Sequence, residues 1–128
     1  ISFEFLEQDH LQGILVGGNI RCLLKLAGTE YWPDMNEKVL LLESLGGDVP
    51  KMATYLSQLN QLHVFEQIKG ILLGTFTEME KNGLRPSVEE LVRRYTGEKL
   101  PIVKTQEIGH GKDAKAALLG GEIDLSCG

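Results

Sequence analysis

The sequence predicts an α/β domain, a mixed sheet with helices packed on it. Short apolar runs typical of buried strands alternate along the chain with segments whose apolar residues recur at helical spacing. Glycines mark many of the boundaries between them. Alternating strands and helices favour a sheet covered by helices. With 128 residues the chain has the size of one domain, so residues 1–128 are interpreted as a single unit.

The first half of the chain contains two strand–helix pairs after a strand-like opening at residues 3–6. Residues 12–17 form an apolar run that predicts a buried strand, and a glycine turn follows it. Asn19 is a suitable N-cap for the first helix, which is expected to end near Gly28. A second buried strand, residues 38–42, ends at Glu43. The next helix has an apolar stripe and a possible N-cap, which are Val49, Met52, Ala53, Leu56, Leu59 and the cap Asp48.

The second half continues the alternation. Residues 68–73 predict a third buried strand. Ser87 and Glu90 are three residues apart, as in a capping box, and they predict the start of another helix. Residues 101–105 form a strand that leads into Gly109-His110-Gly111. The tail, residues 115–127, is interpreted as two short strands around a glycine pair.

Composition excludes several classes of function. The net charge of −5 and the lack of a Lys/Arg stripe argue against nucleic-acid binding. No apolar run is long enough for a membrane span, and the sequence shows no signal peptide. Cys22 and Cys127 have no metal or redox spacing; free thiols are the simpler interpretation, and a bridge between them stays open. No metal or cofactor is predicted. The start at Ile1, inside a strand-like stretch, suggests a piece of a longer protein.

His110 is the first candidate for chemistry. A histidine between two glycines, just after a strand, has little side-chain cover and can reach into a cleft. Imidazole titrates near neutral pH, which suits general acid–base work. The alternative is a loop histidine without a task.

Glu43 is the second candidate. A carboxylate directly after a buried strand is partly desolvated and needs a partner. Strand ends are also where α/β proteins place reactive groups. Glu43 could therefore orient His110 and fix its tautomer; the alternative is an ordinary carboxylate at the edge of the sheet. The sequence has no Gly-x-Ser-x-Gly elbow, so a nucleophile for His110 must come from outside the chain.

The third candidate is the glycine turn Gly17-Gly18-Asn19. A turn of this kind at a helix start can bind an anion through free backbone amides. It matches neither a phosphate loop nor a dinucleotide fingerprint, so a structural turn is the alternative interpretation. Gly18 and Asn19 are the predicted substrate-binding residues.

Taken together, several segments in order resemble the LD-carboxypeptidase family, whose members include the microcin C immunity proteins. The resemblance covers nearly the whole chain. It rests on these segments: Gly17-Gly18-Asn19-Ile20, Ala27-Gly28-Thr29-Glu30-Tyr31, Pro33-Asp34, Lys38-Val39-Leu40-Leu41-Leu42-Glu43, Tyr55-Leu56-Ser57-Gln58-Leu59, the stretch Ile68 to Thr77, and Ile108-Gly109-His110-Gly111. Two departures concern substrate preference: Ser44 stands where an acidic residue is common, and Thr75 where arginine is frequent.

The resemblance implies a small swivelling β/β/α domain that forms the C-terminal half of a serine peptidase. It implies that Glu43 and His110 are the glutamate and histidine of a Ser-Glu-His triad, whose serine lies in an N-terminal nucleophile domain. The implied reaction releases terminal D-alanine from muropeptides in cytoplasmic cell-wall recycling, and the implied intact enzyme is a homodimer. Two alternatives stay open: a microcin-immunity peptidase that cleaves peptidyl-nucleotides, and a non-catalytic binding module on the same scaffold.

Overall fold

A computed structural model describes residues 2–109 and 120–126. Strands and helices alternate through most of this part of the chain. In chain order the elements are β1 (Glu4–Phe5), β2 (His10–Asn19), α1 (Ile20–Leu24), β3 (Val39–Ser44), α2 (Val49–Gln61), α3 (Val64–Gln67), β4 (Gly70–Phe76), α4 (Thr77–Lys81), α5 (Val88–Thr96), β5 (Ile102–Lys104) and β6 (Glu122–Ser126).

The strands form one mixed sheet in the order β1-β5-β4-β3-β2-β6. The four central strands are parallel, and the two edge strands, β1 and β6, run antiparallel to their neighbours. Because the central strands are parallel, their carboxyl ends meet at one edge of the sheet. The predicted α/β fold with a mixed sheet is confirmed.

Side chains of the central strands alternate between two apolar clusters. Leu40, Leu42 and Ile71 join the cluster that the helices cover. Leu41 and Leu72 belong to a second cluster on the opposite face. All five are at most 3% exposed. Such double burial explains why these strands are continuous apolar runs in the sequence, and each buried side chain contributes about 2–3 kcal/mol to folding.

Two helix starts agree with the sequence. The side chain of Asp48 accepts a hydrogen bond from the backbone amide of Lys51 and caps α2, with Pro50 in its first turn. Ser87 and Glu90 form a complete capping box at the start of α5. Both caps satisfy amides that have no partner within the helix.

Other boundaries differ from the prediction. Residues 17–19 are the end of β2 rather than a turn, because Gly17 packs against β3: an added Cβ there would lie 2.3 Å from the carbonyl oxygen of Leu41. Helix α1 ends at Leu24, well before Gly28. The short helices α3 and α4 have no clear sequence signal. Of the two predicted tail strands, β6 is found, and the earlier one falls outside the described residues.

Candidate active site

The candidate site lies at the carboxyl edge of the parallel strands. Asn19 is the last residue of β2, and it pairs in register with Glu43 near the end of β3. On the other side of Glu43 lies the end of β4. This edge is where open α/β sheets place ligands, because loops and helix starts converge there.

Glu43 is a buried carboxylate beside a β-bulge. Its relative exposure is 7%. The β3–β4 register shifts between the pairs Leu42–Leu73 and Ser44–Phe76, so Glu43 alone lies opposite Gly74 and Thr75 of β4. A bulge of this kind re-aims side chains and is common beside active sites.

Gly74 lets the strands come together at this bulge. A Cβ added at Gly74 would lie 3.1 Å from the Cβ of Glu43 and 2.4 Å from the carbonyl oxygen of Ile108. Contacts under 3.0 Å to backbone are not tolerated, so only glycine fits here. Ile108 is therefore packed against the same short stretch of β4 that lies opposite Glu43.

The catalytic candidate His110 lies outside the described residues, which end at Gly109 before the gap. The two residues before it are well defined. Thr75 donates a backbone hydrogen bond of 2.8 Å to the carbonyl oxygen of Ile108. Gly109 adopts φ +140° and lies directly against the hydroxyl of Thr75. The pairing of Glu43 with His110 therefore stays a prediction.

A cleft of about 560 Å³ opens at the same edge of the sheet. Its walls come from the start of α1, the β3–α2 loop and the start of α2. The residues that line it include Asn19, Arg21, Ser44, Lys51 and Glu78. Glu43 does not line the cleft, but the next residue in the chain, Ser44, does.

The charges of the cleft are unevenly satisfied. Asp48 caps α2, and Glu78 accepts a 3.0 Å hydrogen bond from the backbone amide of Gly47. By contrast, neither Arg21 nor Lys51 has a carboxylate partner within the described residues. The cleft can therefore offer two cations to an anionic ligand.

The predicted binding residues Gly18 and Asn19 have separate positions. Asn19 lines the cleft, and its Oδ1 accepts a 3.0 Å hydrogen bond from the amide of Cys22, so it also caps α1. Gly18 has φ +142° with open space where a Cβ would stand, and it is not among the residues that line the cleft. A role for either in substrate binding stays a prediction.

The part of the chain that the structure describes contains no cluster of three or more potential metal ligands. Within it, no helix is long and apolar enough to cross a membrane. Cys22 is a free, exposed thiol, and Cys127 lies outside the described residues. The sequence reasoning missed Arg21 and Lys51 as residues of the cleft, because their proximity arises only from tertiary packing.

Comparison with known proteins gives a consistent family. Residues 12–125 match the family model described as the LD-carboxypeptidase C-terminal domain. The putative carboxypeptidase YocD of Bacillus subtilis (strain 168) is 29% identical over 119 residues, which is 91% of this chain and 36% of the relative. The microcin C7 self-immunity protein MccF of Escherichia coli is 24% identical over 108 residues, which is 83% of this chain and 31% of the relative.

Solved structures show the same fold. A structure of MccF aligns with a TM-score of 0.81 at 18% identity, covering 98% of this chain and 41% of the other. The muramoyltetrapeptide carboxypeptidase of Oxalobacter formigenes aligns with a TM-score of 0.78 at 24% identity, covering 99% of this chain and 46% of the other. The chain thus spans less than half the length of each of these relatives and structures.

Proposed function

Because this chain belongs to the LD-carboxypeptidase family, whose C-terminal domain it matches over residues 12–125, we propose that it supplies the glutamate and the histidine of a serine-type carboxypeptidase. Glu43 and His110 are these two residues. The serine comes from an N-terminal nucleophile domain of the same longer protein. The bond cleaved joins a diaminopimelate or lysine residue to the terminal D-alanine of a muropeptide. The intact enzyme is a homodimer that acts in cytoplasmic cell-wall recycling.

One observation carries this proposal. The buried carboxylate Glu43 and the backbone that leads to His110 both pack against the same residues of β4, Gly74 and Thr75. A Cβ added at Gly74 would touch both the carbonyl oxygen of Ile108 and the Cβ of Glu43, so the described chain that leads to His110 passes beside Glu43. In a hydrolytic triad the carboxylate orients the histidine and the histidine is the base, and we assign these roles to Glu43 and His110.

The mechanism follows from the chemistry of the two groups. The serine attacks the peptide carbonyl, and the His110 imidazole takes its proton as general base. His110 then protonates the leaving amine of the D-amino acid. Glu43 accepts a hydrogen bond from the ring, which fixes its tautomer and stabilises the imidazolium. His110 then takes a proton from water, which attacks the acyl-enzyme; the bond to serine breaks, the serine oxygen receives that proton, and the shortened peptide leaves.

The cleft beside Glu43 supports a substrate with an anionic end. Arg21 and Lys51 are the cations that such an end would meet. A muropeptide ends in the carboxylate of its D-alanine, and charge-assisted hydrogen bonds to that group would anchor it. Asn19, whose amide nitrogen is not needed for its capping bond, can contribute a donor at the same cleft.

A second candidate reaction is the cleavage of a peptidyl-nucleotide. The same two cations suit a phosphate as well as a carboxylate, and MccF, which has this fold, has been solved in complex with aspartyl sulfamoyl adenosine. The volume of the cleft, about 560 Å³, falls within the range of small-molecule sites. The two reactions share Glu43 and His110 and differ in what occupies the cleft.

The test uses the full-length protein with two substrates, a muropeptide ending in D-alanine and a peptidyl-nucleotide. We expect His110→Ala to lower turnover of the preferred substrate by several powers of ten, and Glu43→Gln to lower it by about 10³–10⁴-fold. His10→Gln, at an exposed histidine paired with Asp124 on β6, is the matched control and should keep normal activity. Near-normal turnover in His110→Ala would remove the triad assignment. A full-length protein without a serine nucleophile would instead favour the non-catalytic binding module.

The role of the cleft is tested separately. Arg21→Met and Lys51→Met should each raise KM by roughly tenfold with little change in kcat, because they remove binding that substrate and transition state share. Lys25→Met is the control, since Lys25 follows α1 directly and does not line the cleft. If all three variants kept the wild-type KM, the cleft would be excluded as the site that binds the anionic group of the substrate.

A further inference from the structure

A mostly buried lysine contacts the end of β4, the strand end against which Glu43 and Ile108 both pack. The side chain of Lys104, on β5, is 11% exposed. Its Nζ donates one hydrogen bond of 2.5 Å to the carbonyl oxygen of Gly74 and another of 2.6 Å to Oε2 of Glu80. The same ammonium lies 5.6 Å from the centre of the Phe76 ring. Lys104 therefore binds the backbone of β4 at the bulge.

Glu80, on α4, binds both Lys104 and the same end of β4. Helix α4 begins directly after β4, so its last turn brings the Glu80 carboxylate back to the strand end. Oε2 of Glu80 also accepts a 2.8 Å hydrogen bond from the backbone amide of Phe76. The Lys104–Glu80 pair thus binds the carbonyl before Thr75 and the amide after it. We refer to Lys104, Glu80 and these two backbone groups as the β4 clamp.

The β4 clamp lies at the bulge, where the regular pairing of β3 with β4 is interrupted. At a bulge, backbone groups lose their strand partners, and buried ones must find others. Lys104 and Glu80 supply these partners to Gly74 and Phe76. Thr75, fixed between them, can then hold Ile108 through its backbone amide, while Glu43 lies opposite on β3.

The energetics of the pair argue for a positioning role. Taking the Lys104 ammonium, 11% exposed, out of water costs free energy, and its attraction to Glu80, which is 33% exposed and screened by water, offsets only part of that cost. A pair of apolar residues would often fold as well or better. What such residues could not do is hold one particular spacing of the β4 backbone at the bulge.

We propose that Lys104 and Glu80 are positioning residues of the active site, which set the spacing between Glu43 and the chain that carries His110. This inference rests on the proposed function. Neither residue lines the cleft. They act through Gly74, Thr75 and Phe76, whose displacement by about 1 Å can lower the rate by roughly 100-fold.

The experiment compares Lys104→Met, Glu80→Gln and the double variant in the full-length protein. We expect Lys104→Met to lower kcat by about 10–100-fold and to leave KM within about threefold. It should also lower Tm, because it leaves the carbonyl of Gly74 and the partly exposed Glu80 carboxylate without their cation. The double variant should recover most of that Tm and none of the lost kcat. Recovery of both together would show that the pair only stabilises the fold, and would overturn the inference.

A pH profile separates position from charge. If Glu43 is held less well against the imidazole, the imidazolium is less stable, and the acidic limb of kcat/KM moves to lower pH in Lys104→Met. Loss of a nearby cation would by itself move that limb to higher pH. Among the residues that the structure describes, the polar groups that contact the Lys104 ammonium are the Glu80 carboxylate on α4 and the Gly74 carbonyl on β4. An unmoved limb or a rise would contradict positioning.

Lys38→Met is the matched control. Lys38 also pairs with a carboxylate, Asp34, at 3.8 Å, and it lies directly before the amino end of β3, away from the site. We expect unchanged kcat and an unmoved pH profile.

Failure of the proposed function would be recognised separately, because the wild-type protein would then cleave neither substrate. The pKa of the His110 imidazole, assigned by comparing NMR spectra of the wild-type protein and His110→Ala, would still report on positioning. It should fall in Lys104→Met, and an unchanged or higher pKa would count against the inference even in an inactive protein.

Discussion

The backbone amide of Thr75 donates a 2.8 Å hydrogen bond to the carbonyl of Ile108, and this bond ties β4 to the chain two residues before His110. The next residue, Gly109, lies so close to Thr75 that an added Cβ would stand 1.9 Å from the threonine Oγ1. Its φ of +140° is also one that residues with a side chain rarely adopt. Glycine is therefore required at 109 for two independent reasons.

Gly109→Ala should consequently inactivate the full-length enzyme. We expect kcat to fall by at least about 100-fold, because the methyl group displaces the chain that carries His110. The fold should survive, since the displaced chain follows the last residue of the parallel sheet. Turnover and circular dichroism measure the two effects. Thr75→Ala in the same chain removes the hydroxyl clash and should restore part of the activity.

Gly83→Ala is a suitable control for this variant. Gly83 also has a positive φ, +58°, but nothing lies within 4 Å of where its Cβ would be. The substitution should cost about 1 kcal/mol of stability through the backbone alone and leave kcat unchanged. If Gly109→Ala kept as much activity as Gly83→Ala, the packing of Gly109 would have no bearing on catalysis.

Asn19 combines a structural role with a predicted binding role, and two substitutions separate them. Asn19→Ala removes the acceptor for the Cys22 amide and should lower stability by about 1 kcal/mol. Asn19→Asp keeps that acceptor and should fold as well as the wild type. If the side-chain amide binds substrate, Asn19→Asp should still raise KM. Thermal melts and steady-state kinetics give the two readouts, and a normal KM in Asn19→Asp would leave Asn19 as a cap alone.

The capping box at α5 makes a pH-dependent contribution to stability. The backbone amide of Ser87 donates a hydrogen bond to the Glu90 carboxylate, and this bond is the main reason that the pKa of Glu90 is lowered. The hydrogen bond with the Ser87 side chain lowers it further. Because the folded pKa lies below the unfolded one, the stabilisation is present above the unfolded pKa and is lost as pH falls through the folded pKa. Ser87→Ala should raise the pKa of Glu90 part of the way to its ordinary value, measured by carboxyl NMR.

Ser87→Ala should also cost about 1 kcal/mol of stability at neutral pH, since it removes an N-cap. Ser57→Ala is the control, because Ser57 lies in the interior of α2. Alanine is the better helix former there, so that change should be neutral or slightly stabilising. Equal effects at the two serines would contradict the capping role.

The sequence predicted those parts of the fold that depend on local pattern. The apolar runs around Leu40 and Ile71 predicted buried strands, and Ser87 with Glu90 predicted a helix start, because burial on both faces and capping leave local signals. The turn predicted at residues 17–19 was wrong because the end of β2 is shaped by contact with Leu41. That contact joins residues far apart in sequence, and its only sign in the sequence is the glycine at position 17.

The candidate site was predicted in the same uneven way. A carboxylate after an apolar run placed Glu43 at the end of a buried strand, and the structure confirms that position. Lys104 and Glu80 are 24 residues apart and follow no motif, so their ion pair could not be predicted from the sequence. Its existence depends on α4 returning to the end of β4. The role of His110 is still a prediction that rests on the family pattern.

Arg93 should be the main polar contributor to the stability of the other end of the domain. Its side chain, 15% exposed, donates to the carbonyls of Gly97 and Leu100 at 2.7 and 2.9 Å and reaches the Gln8 side chain at 3.4 Å. Arg93→Met would leave the two carbonyls without these donors, so we expect a loss of about 2–4 kcal/mol in the free energy of unfolding. Arg94→Met, at the exposed neighbouring position, should change it by less than about 0.5 kcal/mol. Denaturant titration of both variants measures the difference, and comparable losses would mean that the buried contacts of Arg93 carry no special weight.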